Sequence, residues 1–305
     1  MPNSPFNSAG TRRDFFKTSA ALAAATTAGT TATAAAPTKK SASDWVVLGK
    51  SGVKVTRLAL GTGTHGGREQ RELGQQQFTR LVRHAYDNGV RFFETAESYP
   101  GMPEMLGIAL QGLPRDSYRL MHKYTTPAHG DPPAAKIDMF RKQLRTDYID
   151  ILLLHCLRPP TWEADYAPLK DGLSEAKGKK VILSHGASVH GLPALRTLPG
   201  NAWLDLAMIR MNHNGTRMDT PSEKDLNEPG LVDEVVQHTK KVHAQGMGVI
   251  SMKLCGEGRF TTFEDRDKAM RFAMNLGVVD AVTIGFTAPW QIDEAIERIA
   301  RVTSS

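Results

Sequence analysis

Four side chains between residues 94 and 155 have complementary chemistry: Glu94, Tyr99, Lys123 and His155. A carboxylate beside a lysine keeps the ammonium charged, and that ammonium favours a neighbouring phenol giving up its proton. Free tyrosine ionises near ~10, so proton transfer at neutral pH needs such help. A neutral histidine can orient a carbonyl oxygen beside the phenol. Together the four make a proton donor for reducing a carbonyl. Taken singly, each has a plainer reading. Lys123 closes the apolar Leu120-Met121 run and fits a surface lysine just past a strand. His155 follows Ile151-Leu152-Leu153-Leu154 and fits a satisfied core histidine, while Tyr99, in a Ser-Tyr-Pro-Gly loop, fits a packing aromatic. Glu94 follows Phe92-Phe93, where a buried acid needs a cation. A metal alternative uses His65, His155, His190 and His213 with Glu94, a set suited to a divalent ion, although no histidine pair has metal-ligand helical spacing.

These residues need a scaffold that gathers them. Short runs rich in Val, Ile and Leu alternate with segments of helical period. The runs are Val55–Leu60, Phe92–Glu94, Arg119–His122, Ile149–Leu154, Val181–Gly186, Leu204–Ile209, Gly248–Met252 and Ala281–Ile284. The intervening segments are Gln75–Asn88, Glu104–Leu110, Ala134–Arg145, Thr161–Lys177, Gly191–Arg196, Leu231–Gln245, Thr262–Leu276 and Gln291–Val302. Several end in Gly just before the next run, at Gly89, Gly246 and Gly277. Eight strand–helix units predict an α/β fold closed as a single-domain (β/α)8 TIM barrel. An open doubly wound sheet is disfavoured, because Gly61-Thr62-Gly63-Thr64-His65-Gly66-Gly67 lacks the dinucleotide-fingerprint spacing. In such a barrel the site lies at the C-terminal strand ends, where Glu94, Lys123, His155, Ser188, His190, Asn212, His213, Lys253 and Thr287 all fall.

The 305 residues, 40% hydrophobic, suffice for a large core. The formal charge is +6, of which the first 34 residues contribute +2 through Arg12, Arg13 and Lys17 against Asp14. The remaining charges are mixed in sign and form no basic block with interleaved aromatics, so no nucleic-acid partner is expected. Cys156 and Cys255 fall at strand ends and read as small buried residues rather than a bridge, with a disulfide left open in an oxidising compartment. No Cys-x-x-Cys run suggests a cluster or zinc ribbon. The opening Thr11-Arg12-Arg13-Asp14-Phe15-Phe16-Lys17, followed by an Ala/Thr stretch to Ala36, resembles a bacterial twin-arginine (Tat) signal peptide. That stretch is too weakly apolar for a stable membrane span. The expected organisation is a signal peptide over 1–36, a linker over 37–47 and a barrel over 48–305, with the Tat translocase as export partner and a periplasmic or otherwise exported location.

The body resembles the aldo-keto reductase family along nearly its whole length. Phe93-Glu94-Thr95-Ala96-Glu97-Ser98-Tyr99 is similar to the family's Phe-Asp-Thr-Ala-x-x-Tyr element, and Glu104-Met105-Leu106-Gly107 to its following helix. Thr146-Asp147-Tyr148-Ile149-Asp150, running to Leu154-His155, looks like the family's fourth strand. Leu48-Gly49-Lys50-Ser51-Gly52 and Gly61-Thr62-Gly63 resemble its opening hairpin and first strand end. Gly186-Ala187-Ser188-Val189-His190 and Gly246-Met247-Gly248-Val249-Ile250-Ser251-Met252-Lys253 resemble a bacterial branch of predicted oxidoreductases. The resemblance implies Tyr99 as general acid, Lys123 polarising it, Glu94 in the family's aspartate role and His155 orienting a small carbonyl or alcohol substrate. It implies a nicotinamide cofactor, NAD or NADP, lying across Gly61, Thr62, Ser188, Asn212, Lys253, Gly285, Phe286, Thr287, Gln291 and Glu294.

The sequence also departs from the family. Glu94 replaces an aspartate, moving its carboxylate by about 1.5 Å. Val189 stands in place of a common asparagine, and Ala295 in place of the adenine-side asparagine. Ala288 and Gln291 supply no cation for a 2′-phosphate, a role left to Arg259 or Arg298, which weakens NADP relative to NAD. An exported reductase would lack a pool of reduced nicotinamide. The expectation is therefore a cofactor bound tightly before export, or a barrel that has abandoned hydride transfer. A non-redox binding or accessory protein and a metal-dependent barrel enzyme are the alternatives.

Overall fold

The computed structural model describes residues 39–125, 132–222 and 229–303. Eight parallel strands close into a barrel: β3 (Leu58–Gly61), β4 (Phe92–Glu94), β5 (Arg119–Tyr124), β6 (Ile149–Leu157), β7 (Ile182–Val189), β8 (Leu206–Arg210), β9 (Gly248–Met252) and β10 (Ala281–Gly285). Each neighbours the next in sequence, and β10 pairs back onto β3. Helices α1 (Arg68–Arg71), α2 (Gly74–Asp87), α3 (Met102–Leu110), α4 (Pro133–Leu144), α5 (Trp162–Asp165), α6 (Ala167–Gly178), α7 (Leu192–Thr197), α8 (Val232–Ala244), α9 (Phe263–Asn275) and α10 (Pro289–Val302) lie between them. Five helices, α3, α4, α6, α7 and α10, begin with proline in the first turn, where its missing N–H costs nothing. Thr262 caps α9 by accepting the amide of Asp265 at 3.1 Å. The predicted glycine stops hold, with Gly89 at φ 84° and Gly246 at φ 78°.

The barrel interior is a packed core of Ala59, Phe92, Met121, Ile151, Leu153, Leu206, Met208, Ile250, Met252 and Ala281. A two-stranded hairpin, β1 (Trp45–Val47) and β2 (Lys54–Thr56), presses Leu48, Val53 and Val55 against the same cluster and closes the base. Two expectations change here. The run Val55–Leu60 is not one strand, because it divides at Arg57 between hairpin and barrel. The predicted linker 37–47 also contains structure, since β1 lies within it and Ala42 is buried. Within Thr161–Lys177 the chain breaks at Tyr166 between α5 and α6. Asp150 holds the start of β6, accepting from Arg115 at 2.6 Å and the amide of Leu120 at 2.9 Å. Among the described residues no helix is long and apolar enough to cross a membrane. The predicted leader lies outside them.

Candidate active site

Strand alternation explains how the four residues meet. Side chains two apart share a face, and Phe92, Met121, Ile151 and Leu153 fill the interior. Glu94, Lys123 and His155 are the next inward positions of β4, β5 and β6 and form the layer above that core. A layer of ionisable groups in place of aliphatics is tolerable where opposite charges meet. Glu94 and Lys123 do so as an ion pair, with side chains 3% and 1% exposed. The Lys123 ammonium also donates to the Thr95 carbonyl at 3.1 Å.

The extra methylene of Glu94 is accommodated by a neighbour that has no side chain. Gly61 pairs in register with Glu94, and a Cβ there would stand 2.8 Å from its carboxylate oxygen. The longer acid therefore still reaches Lys123. On the other side of the pair stands Tyr99, whose ring centroid is 4.8 Å from the ammonium. Its hydroxyl lies against Gly63, where an added Cβ would approach to 2.5 Å. The His155 ring meets Tyr99 edge-on at 5.7 Å. Its Nδ1 contacts the hydroxyls of Thr125 at 3.0 Å and Ser98 at 3.2 Å. If both donate, the ring proton sits on Nε2. Glu97 ties the Tyr99 loop to β5, accepting the Thr125 amide at 2.9 Å and pairing with Lys136 at 2.8 Å.

The electrostatics set protonation states. Burial pushes the Tyr99 phenol above its ordinary value, with the Cys156 thiol and the Glu257 carboxylate adding to the effect, so the acid form is held. Burial also lowers His155, assisted by Lys123, His122 and Lys253, which keeps the imidazole neutral. Lys123 is pushed down by burial; the Cys156 thiol opposes that shift and Lys253 adds to it. Contact with Glu94 further favours its charged form.

A cavity of about 590 Å³ opens beside this cluster, a volume usual for a small-molecule site. Glu94 and Tyr99 line one end. Gly61, Lys253, Gly285, Phe286, Thr287, Gln291 and Glu294, all expected at a cofactor, line the rest. Thr62 and Ser188 do not line it, but both are buried with hydroxyls lacking a hydrogen-bond partner. Asn212 is placed otherwise than expected. Its amide nitrogen donates to Thr216 and Lys253 carbonyls at 2.6 and 3.2 Å, and its oxygen accepts from Gly215 at 2.9 Å, so it braces a loop. Nor do all four histidines gather: His65 pairs with Glu69 at 3.0 Å and His213 packs on Phe260, and only the His155 and His190 rings meet, their centroids 5.8 Å apart.

Sequence reasoning missed three residues. Arg210 continues the inward parity of Leu206 and Met208 and pairs with Asp219 at 2.5 Å, both buried. Its parity was a readable signal; its partner nine residues on was not. Glu257, in a left-handed turn after β9, pairs with Lys253 at 2.5 Å and Arg217 at 3.2 Å beside the cavity. Cys156 is not a buried filler: it is partly exposed, beside His155. Neither it nor Cys255 is bridged.

Comparison with known proteins agrees with this architecture. The chain is 26% identical over 155 residues to probable aldo-keto reductase 1 of Glycine max, covering 47% of this chain and 45% of that one. It is 31% identical over 132 residues to an aldo-keto reductase of Mycolicibacterium smegmatis, covering 42% and 45%. These alignments thus span less than half the length of the curated relatives. The fold resembles a putative aldo-keto reductase of Pseudomonas aeruginosa at TM-score 0.64 and 20% identity, covering 84% of this chain and 93% of that one. An aldo-keto reductase of Klebsiella pneumoniae in complex with NADPH superposes at TM-score 0.58 and 20% identity, covering 84% and 89%. Residues 57–302 match the aldo/keto reductase family as a whole. The chain belongs to the aldo/keto reductase family.

Proposed function

We propose that this protein is an exported, nicotinamide-dependent oxidoreductase that interconverts a small carbonyl and its alcohol. The observation behind the reading is the buried Glu94–Lys123 ion pair against Tyr99, with a neutral His155 across the phenol. Bound in the cavity, the cofactor would supply a hydride to the carbonyl carbon. Tyr99 delivers the proton to the carbonyl oxygen, and Lys123 stabilises the phenolate left behind. His155 donates a hydrogen bond that aims the oxygen at Tyr99. In the reverse direction the phenolate removes the alcohol proton.

The cavity suits a dinucleotide through its lining, which runs from Gly61 and Lys253 to Gln291 and Glu294. Gly285 contributes bare backbone to the wall, because a Cβ there would collide with the Thr64 hydroxyl and the Gln70 amide. At the far end Arg266 and Arg298 both pair with Glu294, and Arg298 also with Asp267 at 3.3 Å. With its arginines committed and a carboxylate facing in, that end favours the ribose diol of NAD over a 2′-phosphate.

The test is Tyr99→Phe, with nucleotide binding followed by the fluorescence of Trp290, an exposed residue on the cavity wall. Carbonyl reduction should fall by about 10²–10⁴-fold while binding is retained. Unchanged turnover, or failure of wild type to bind either nucleotide, would refute the reading and favour a non-redox barrel. Export by the Tat route is tested by replacing Arg12 and Arg13 with lysine. The protein should then stay in the cytoplasmic fraction, and export unaffected would dismiss the signal.

A further inference from the structure

Cys156 follows His155 directly, and in a regular strand the two would point to opposite faces. They do not. Between Leu154 and Leu157 the register of β6 against β7 shifts, and Cys156 adopts φ 62°, the left-handed region that a side chain enters only at a cost. A bulge of this kind re-aims a side chain. Its effect is that ligand atoms of His155, Cys156 and His190 all lie within 4.8 Å of one another. His190 directly follows β7, the neighbouring strand, and the residue is 9% exposed with Nδ1 lacking any hydrogen-bond partner. A buried imidazole with an unused nitrogen, facing a thiol and a second imidazole, has the chemistry of a metal-ligand set.

We infer that His155, Cys156 and His190 form a three-ligand site for a thiophilic divalent cation of the zinc type, at the barrel mouth where the carbonyl oxygen would otherwise sit. Two imidazoles and a thiolate match zinc rather than magnesium or calcium, which take oxygen ligands. The fourth position is left to water. Binding releases the thiol proton to solvent. Burial lowers both histidines, so each is already neutral, and ligation through His155 Nε2 places its ring proton on Nδ1, where the Thr125 or Ser98 hydroxyl accepts it. The surroundings contain cations, but three of the four have their own carboxylate: Lys123 with Glu94, Lys253 with Glu257, Arg210 with Asp219. Burial pushes the Cys156 thiol up, and the fourth, Arg158, hydrogen-bonds the thiol and opposes that rise. The ion would occupy His155 and so compete with a carbonyl substrate. That consequence rests on the proposed function; the binding does not.

The experiment is a Co²⁺ titration of the reduced full-length protein, followed by absorbance. Wild type should develop a thiolate-to-cobalt charge-transfer band with the intense visible bands of four-coordinate cobalt, saturating at one equivalent and discharged by Zn²⁺. Cys156→Ser, a near-isosteric change, should abolish the charge-transfer band, and Cys255→Ser should leave it intact. His190→Gln should weaken binding at least about tenfold, since loss of even an outer-shell partner costs that much. Absence of the band in wild type, or its persistence in Cys156→Ser, overturns the site. Zn²⁺ inhibition competitive with the carbonyl, and relieved in Cys156→Ser, supports the overlap with substrate. Cobalt binding in a protein with no reductase activity would leave this site standing while the functional reading fell.

Discussion

Glu94→Gln keeps the shape of the side chain and removes its charge, leaving the Lys123 ammonium 1% exposed with the Thr95 carbonyl at 3.1 Å as its remaining partner. Breaking a buried pair on one side costs about 3–5 kcal/mol. The lysine can limit that cost by giving up its proton. From an ordinary value near ~10.4, doing so at pH 7 costs about 4–5 kcal/mol, and the figure falls by about 1.4 kcal/mol for each pH unit above. The folded variant then holds one proton fewer than the folded wild type, so its deficit shrinks as pH rises. Urea unfolding at pH 7 and pH 9 should show a deficit of roughly 4 kcal/mol falling to roughly 2. Glu94→Gln combined with Lys123→Met removes both charges and should recover most of the loss. A deficit below about 1 kcal/mol that is flat across this range would refute the charged pair. A double variant as unstable as the single one would assign the loss to packing.

Further outcomes follow from other parts of the site. His122 is buried, accepts the Lys123 amide at Nδ1 at 2.8 Å, packs on Phe140, and burial lowers it to about 3. Its folded value lies below its unfolded one, so it contributes stability that is present above about pH 6.5 and lost as pH falls towards 3. By pH 4 that loss is roughly 3 kcal/mol, and His122→Asn, which keeps the acceptor, should flatten the acid limb of a stability–pH curve. Glu294→Gln frees Arg266 of its carboxylate at the far end of the cavity and leaves Arg298 with Asp267 alone. The ratio of NADPH to NADH affinity, measured by fluorescence titration, should then rise by about tenfold, roughly 1.4 kcal/mol.

Much of this arrangement is legible in the sequence because strand parity is. Phe92 and Glu94, Met121 and Lys123, and Leu153 and His155 are each two apart, so a reader who finds the strands also finds which polar residues cap the interior. The glycine stops delimit the helices for a similarly local reason. What escapes is whatever depends on broken parity or distant partners. The bulge that turns Cys156 beside His155 leaves no sign in its neighbours. Asn212 looks like a ligand-facing amide, yet the chain turns at Asn214 and Gly215 and claims both its ends. The hairpin divides an unbroken apolar run at Arg57, where the Thr56 hydroxyl bonds back to the Leu58 carbonyl at 2.9 Å. Asp219 meets Arg210 across a loop whose path no pattern encodes.

The sealed base has a consequence for traffic. With Leu48, Val53 and Val55 packed beneath the interior side chains, the barrel is a cup and not a tube. Anything that reaches the Glu94 layer must come and go by the rim. Under the proposed function, a large dinucleotide and a small carbonyl sharing that rim form a queue in which the later arrival departs first. Steady-state turnover should therefore follow an ordered sequence, with release of the spent nucleotide the last event of each cycle. The floor of the barrel, far from the chemistry, is what fixes that order.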